Sequence, residues 1–168
     1  GYFVLPYTIG DFLADDIRTG PISTESAEFD QAEKDVRERL DSLINNKGSK
    51  SVDHFHKRLG KVMWDKVGMA RNEKGLKEAI EEIRQIRDEF YEDVFVPGSQ
   101  NEFNQELAKA TRVADFLELG ELFAKDALER TESCGGHFRE ESQTPEGEAL
   151  RDDENFAFSS NWEWTGDP

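Results

Sequence analysis

The sequence predicts an all-α fold: an antiparallel bundle of three to five helices, followed by an extended, irregular carboxyl-terminal tail. Apolar residues recur at three- and four-residue spacing between positions 24 and 132, which is the period of one helix face. Only short turn-forming segments separate these stretches, and short connections favour antiparallel neighbours. The period ends after Ser133. At 168 residues, the chain has about the length of one domain.

The first segment, residues 2–13, carries large apolar side chains on nearly every side of the helix that it would form. A helix that is apolar all round is normally buried inside a larger body. Pro6 is expected to kink or delimit this helix, and Gly20-Pro21 ends it. We therefore expect the chain to begin as a cut edge, with residues 1–20 belonging to a neighbouring domain and its linker.

Four longer helices are predicted after this segment, over residues 24–46, 52–69, 73–95 and 102–132. Ser51 and Asn72 are the expected caps of the second and third. Ser99 and Glu102 have the spacing of a capping box and predict the start of the last. Gly120 lies inside this longest helix, where a missing side chain allows a close helix approach or a bend.

Composition excludes several classes of function. The chain has 37 acidic and 21 basic residues and a net charge of -16, which repels nucleic acid and anionic membrane surfaces. No apolar run is long enough to cross a bilayer, so direct membrane insertion is not expected. Cys134 is the single cysteine, which rules out a disulfide framework within the chain.

Candidate reactive groups are few. His54 and His56 point about 200° apart on a helix, so they do not converge on one metal ion. The acidic cluster at residues 152–154 lacks the spacing of a calcium loop, and pairing with a basic surface is the favoured interpretation. Cys134 and His137 are close in sequence, but no further residue supports a nucleophilic site. The residues themselves predict a helical module without an active site or a metal.

A basic stretch covers residues 47–71. It fits a solvated helix face that balances the acidic remainder, and it also fits a docking surface for an acidic protein. The second interpretation gives an alternative function for the chain, that of a free-standing acidic helical adaptor.

Several motifs follow one another in the last third of the chain. A long predicted helix ends in an arginine-x-x-serine motif, a small-residue turn leads to a histidine and an arginine–acid pair, and an arginine-aspartate-aspartate element follows. These residues are Arg130, Ser133, His137, Arg139, Glu140, Arg151, Asp152 and Asp153. In this order the motifs resemble the carboxyl-terminal part of succinate dehydrogenase and fumarate reductase flavoprotein subunits. Cys134 and Gly136 replace the arginine and alanine of many relatives, so the chain resembles a less studied branch.

This resemblance implies an FAD-dependent oxidoreductase as the full-length parent, with covalently bound flavin, that converts succinate to fumarate and passes electrons to quinone. The implied partners are the flavin-binding domain of the same subunit, an iron–sulfur subunit and a membrane anchor subunit. The implied location is the cytoplasmic face of a membrane, reached through the complex. The family's flavin and substrate motifs lie upstream of the part that resembles this chain. We therefore expect no catalytic and no cofactor-binding residue here, and an inactive isolated chain.

The resemblance also suggests how the chain is organised. Residues 1–20 would end a flavin-domain helix, residues 21–133 would form the helical bundle, and residues 134–168 would pack on the flavin domain. The candidate domain-docking residues are His137, Arg139, Glu140, Arg151, Asp152 and Asp153. Local pairing that only orders the tail is the other interpretation of these residues.

Overall fold

The structure is a computed structural model that describes residues 1–165, and it contains two units, residues 1–38 and the chain from Arg39 onward. The last three residues of the predicted tail segment, 166–168, lie outside the described part. Each unit is described by itself.

The first unit is helical and has no buried residue in positions 1–38. The predicted apolar helix forms as short pieces, and Tyr2 and Phe12 are 88% and 81% exposed. Pro6 lies in the first turn of the first piece, where its missing N–H needs no partner. The elements are α1 (Val4–Tyr7), a π-helical turn (Thr8–Phe12), α2 (Ala14–Ile17) and α3 (Ala27–Ile44), which continues into the second unit.

Three long helices form the second unit, α4 (Val52–Lys66), α5 (Glu73–Asp93) and α6 (Gln105–Glu129). The rings of Phe55 and Phe90 meet edge to face at 5.3 Å, so the start of α4 lies against the end of α5. Other contacts show that α5 is antiparallel to both neighbours, while α4 and α6 run in the same direction. The predicted all-α bundle is confirmed.

The core of this unit lies between α4, α5 and α6, and the end of α3 adds Leu43 to it. The predicted close approach at Gly120 is present. A Cβ atom at this position would lie 3.3 Å from both Leu59 Cδ1 and Met63 Sδ of α4, and 3.7 Å from Ile83 Cδ1 of α5. The absence of a side chain on α6 therefore lets three helices meet.

Side-chain caps set the helix starts. Ser51 and Asn72 cap α4 and α5 as predicted, accepting hydrogen bonds from the backbone N–H groups of His54 and Gly75. The start predicted for α6 was wrong. The Ser99 N–H does donate to Glu102 Oε1 at 3.1 Å, but the helix begins only at Gln105.

The reason for this later start is the backbone around residue 98. Gly98 has a φ of +91°, which turns the chain, and the Asn104 side chain bonds the Pro97 carbonyl at 2.8 Å. Asn104 then caps α6 by accepting from the Leu107 N–H at 3.0 Å.

Two short parallel strand pairs connect distant parts of the second unit. Strand β1 (Lys50–Ser51) pairs with β3 (Val94–Phe95), and β2 (Ala70–Arg71) pairs with β4 (Phe138–Arg139). The second pair joins the tail to the turn between α4 and α5. The tail is otherwise irregular up to α7 (Asp153–Phe156).

Candidate domain-docking site

Arg139 closes the carboxyl end of α6. Its side chain is only 4% exposed, and one terminal nitrogen donates to the carbonyls of Ala127 and Leu128 at 3.0 and 3.1 Å. Its Nε donates to Glu141 Oε2 at 3.1 Å. The last carbonyls of a helix have no partner within the helix, and a buried cation at this end also suits the helix dipole. The guanidinium of Arg139 thus acts as a C-cap supplied from β4.

Ser133 fixes the position of Arg139. Its side chain is fully buried, and its Oγ accepts a hydrogen bond from the Arg139 N–H at 2.8 Å. The same hydroxyl donates to the Arg139 carbonyl at 3.2 Å. A hairpin turn lies between them, in which Cys134 and His137 exchange two backbone hydrogen bonds and Gly135 has a φ of +59°. This positive φ explains a glycine at the turn.

His137 is half-buried beside this turn. Its Nε2 lies 2.8 Å from the carbonyl oxygen of Arg130, which only accepts, so the ring carries its hydrogen on Nε2 and donates a hydrogen bond there. Burial lowers the pKa of His137 below its ordinary value, and the charges of Arg71, Arg139 and Arg130 add to this effect. The site therefore favours the neutral ring.

Arg130 and Glu132 connect the end of α6 to the distal tail. Arg130 pairs with Glu132 at 2.7 Å and donates to the carbonyls of Phe156 and Phe158. Its guanidinium also lies over both phenyl rings, 5.4 and 5.6 Å from their centroids. The Glu132 carboxylate is 3% exposed and accepts from the Asp152 N–H, a bond that lowers the pKa of Glu132.

The predicted docking residues thus fall into two sets. Arg139 and His137 are engaged within the chain, and Asp152 caps α7 by accepting from the Asn155 N–H. The other set is exposed and consists of Glu140, Arg151 and Asp153. Glu140 also accepts a hydrogen bond from the Asn72 side chain at 2.7 Å, and Arg151 and Asp153 pair with each other at 2.6 Å. Only the exposed set presents its charges outward. The favoured pairing of the acidic cluster with a basic surface has a local counterpart in the Arg151–Asp153 pair.

Sequence reasoning missed Glu132 as a site residue. Nothing in its neighbourhood marks it as buried, because it is a charged residue among polar neighbours at the very end of the predicted helix. Its place two residues after Arg130 is the one available signal. The structure shows that this spacing allows the 2.7 Å pair, which holds the tail.

The other candidate groups form no reactive site. His54 and His56 are both exposed, and Cys134 is a free, half-buried thiol. Within the described residues 1–165, no group of three or more His, Cys, Asp or Glu side chains could hold a metal ion. In the same range, no helix is both long and apolar enough to span a membrane.

The basic stretch 47–71 is largely neutralised within the chain. Lys50 and Arg58 both pair with Glu89, Lys61 pairs with Asp65, and Lys66 pairs with two glutamates of α5. These ion pairs favour the interpretation as a balanced helix face over that as a docking surface for an acidic protein.

A three-helix bundle whose last helix is closed by a polar network defines the class of this domain, which is mostly helical. Comparisons with known proteins agree with this class. Residues 56–168 match the family described as fumarate reductase flavoprotein C-term. The chain belongs to this family.

The relatives that match are flavoproteins. An uncharacterized FAD-dependent oxidoreductase of Methanocaldococcus jannaschii is 39% identical over 79% of this chain and 25% of its own length. The fumarate reductase flavoprotein subunit of Helicobacter pylori is 30% identical over 78% of this chain and 18% of its own. The chain thus spans a quarter or less of the length of these relatives.

Solved structures show the same fold. Quinol fumarate reductase of Escherichia coli superimposes with a TM-score of 0.71 at 25% identity, covering 88% of this chain and 24% of that one. The Sdh1 complex of Mycobacterium smegmatis gives a TM-score of 0.63 at 30% identity, covering 77% and 21%.

Proposed function

We propose that this chain is the carboxyl-terminal structural domain of the flavoprotein subunit of a succinate:quinone oxidoreductase, which converts succinate to fumarate or runs the reverse reaction. In this role the chain supports the flavin domain and the assembly of the complex. The polar network at the end of α6 carries the proposal, because the family's ordered motifs supply its members. Matching relatives are named as fumarate reductases, and one of them as a flavoprotein subunit, which supports the same role.

The proposed partners follow from this role. They are the flavin-binding domain of the same subunit, an iron–sulfur subunit and a membrane anchor subunit, which place the chain at the cytoplasmic face of a membrane. In this proposal FAD belongs to the full-length subunit, where it is covalently attached and held by the flavin-binding domain. The exposed charges of Glu140, Arg151 and Asp153 suit contacts across a domain boundary, since rim charges fix orientation there.

The proposed role assigns the redox chemistry to the rest of the subunit and structural support to this chain, and an experiment can separate the two. The full-length subunit and residues 1–168 are each purified, denatured in acid and examined for flavin absorbance in the protein pellet. Succinate oxidation is followed with an artificial electron acceptor. We expect bound flavin and activity in the full-length subunit alone. Covalent flavin or succinate oxidation by residues 1–168 would overturn the proposal.

The adaptor alternative is disfavoured, because four cations of the basic stretch that it requires, Lys50, Arg58, Lys61 and Lys66, pair with the chain's own acids.

A further inference from the structure

Arg71 differs from every other half-buried or buried cation between residues 39 and 165. Each of the others forms an ion pair with an aspartate or glutamate of the same unit. No such pair is found for Arg71 among the described residues. The missing ion pair is not explained by a shortage of acids, since the chain has 37 aspartate and glutamate residues and a net charge of -16.

The geometry leaves one side of this guanidinium available. Arg71 Nε donates to the Gly68 carbonyl at 2.7 Å, which fixes the orientation of the fork. The two terminal nitrogens have no hydrogen-bond partner in the described residues. They also reach solvent, since no unpartnered side-chain nitrogen of residues 1–165 is fully buried.

A second arginine lies directly opposite Arg71. In the β2–β4 pair its register partner is Arg139, and residues in register project to the same face. Burial lowers the pKa of Arg71 and the charge of Arg139 adds to this, while the more weakly acting charge of Asp126 opposes it. Like charges directly opposite each other are destabilising, and the ion pair with Glu141 is made by Arg139 and not by Arg71.

We propose that Arg71 receives a carboxylate side chain from the flavin-binding part of the full-length subunit, a contact that orients the two parts. This inference rests on the proposed function. A planar guanidinium binds a carboxylate through two parallel N–H donors. A carboxylate of a protein suits the site because the chain leading into β2 leaves two large apolar side chains exposed, as interfaces do: Met69 is 72% exposed and Trp64 is 84% exposed.

Carbodiimide cross-linking of the full-length subunit tests this contact. Arg71→Lys keeps the charge and introduces an amine, which the reagent joins directly to a touching carboxylate, and mass spectrometry identifies the linked residue. We expect a new cross-link from position 71 to an Asp or Glu outside residues 1–168. A cross-link from position 71 only to acids within these residues, or none, would overturn the inference. Exposed Lys57 is present in both the unchanged subunit and the Arg71→Lys variant, and its cross-links are the internal control for reagent activity.

A second experiment measures how much Arg71 contributes to the strength of domain docking. Arg71→Gln in the full-length subunit is expected to weaken domain docking about tenfold, measured as the rate of proteolytic cleavage at the domain boundary in native buffer. Exposed Arg112→Gln on α6 is the matched control and should leave the rate unchanged. Equal rates for both variants would contradict the inference. If other lysines of residues 39–165 cross-link to the flavin-binding part while position 71 does not, the proposed function stands and only this inference fails.

Discussion

The helical core and the segment that follows it are held by different forces. Between α4, α5 and α6 the contacts are mainly apolar, with Phe55 and Phe90 fully buried, and the buried Glu121 of α6 also pairs with Arg84 and Arg87 of α5. From Arg130 to Asp153 the contacts are mainly hydrogen bonds and ion pairs, and the buried members include Glu132, Ser133 and Arg139. We therefore expect the apolar core to tolerate exchange of one apolar residue for another, and the polar network to require each of its partners.

The largest effect is expected in the core. Phe90→Ala removes a fully buried ring that contacts Phe55, and it should lower the free energy of unfolding by about 4 kcal/mol. Urea unfolding followed by circular dichroism measures this. Phe103→Ala, at a position that is 89% exposed, is the control and should change stability by less than about 0.5 kcal/mol. Similar losses for both variants would mean that the core is misplaced.

The next effect tests the polar network. Arg139→Ala leaves buried carbonyls of α6 without donors and should cost about 3 kcal/mol. Arg151→Ala breaks an exposed, solvent-screened pair and should cost clearly less. Both are measured by urea unfolding. If Arg151→Ala were the more damaging change, the exposed pair rather than the buried arginine would hold the segment.

A smaller effect tests the start of α6. Asn104→Ala removes the cap and should cost about 1 kcal/mol, whereas Ser99→Ala should cost only a few tenths, about 0.3 kcal/mol. Thermal unfolding of the two variants gives the ranking. A reversed ranking would restore the capping box at residues 99–102 as the helix start.

The smallest effect is a pH dependence from His137. Its pKa is lower in the folded chain than in the unfolded one, so the unfolded state binds more protons once the pH falls below about 6.5. The contribution of neutral His137 to stability is therefore fully present above that pH. It is lost as the pH falls from the unfolded pKa to the lower, folded pKa. His137→Gln should lose less stability than the unchanged chain between pH 7.5 and 5.5, measured by urea titration at each pH. Equal losses would contradict this assignment.

The sequence predicted the core better than the network. The three- and four-residue spacing is a local signal, and it identified α4, α5 and α6, although not every end of them, because burial of one helix face determines the period. The caps at Ser51 and Asn72 were equally local. At α6 the sequence offers two possible caps, the Ser99–Glu102 capping box and Asn104. The positive φ of Gly98 turns the chain so that Asn104 is the cap, and local spacing does not reveal this angle.

The network was only partly predictable. The resemblance drew attention to Arg139 and His137, but their partners are backbone carbonyls at the end of α6, and no side-chain pattern marks a carbonyl. The pairing of β2 with β4 joins residues far apart in sequence through two residues each, which is too short for an alternating pattern. Docking to a flavin domain remains a prediction for all six candidate residues.

The most direct test of the central claim is turnover per bound flavin in the full-length subunit carrying Arg139→Ala. The claim is that this domain supplies support and no chemistry. We expect a lower melting temperature and weaker assembly, with turnover per flavin equal to that of the unchanged subunit. A large loss of turnover per flavin at an unchanged melting temperature would contradict it.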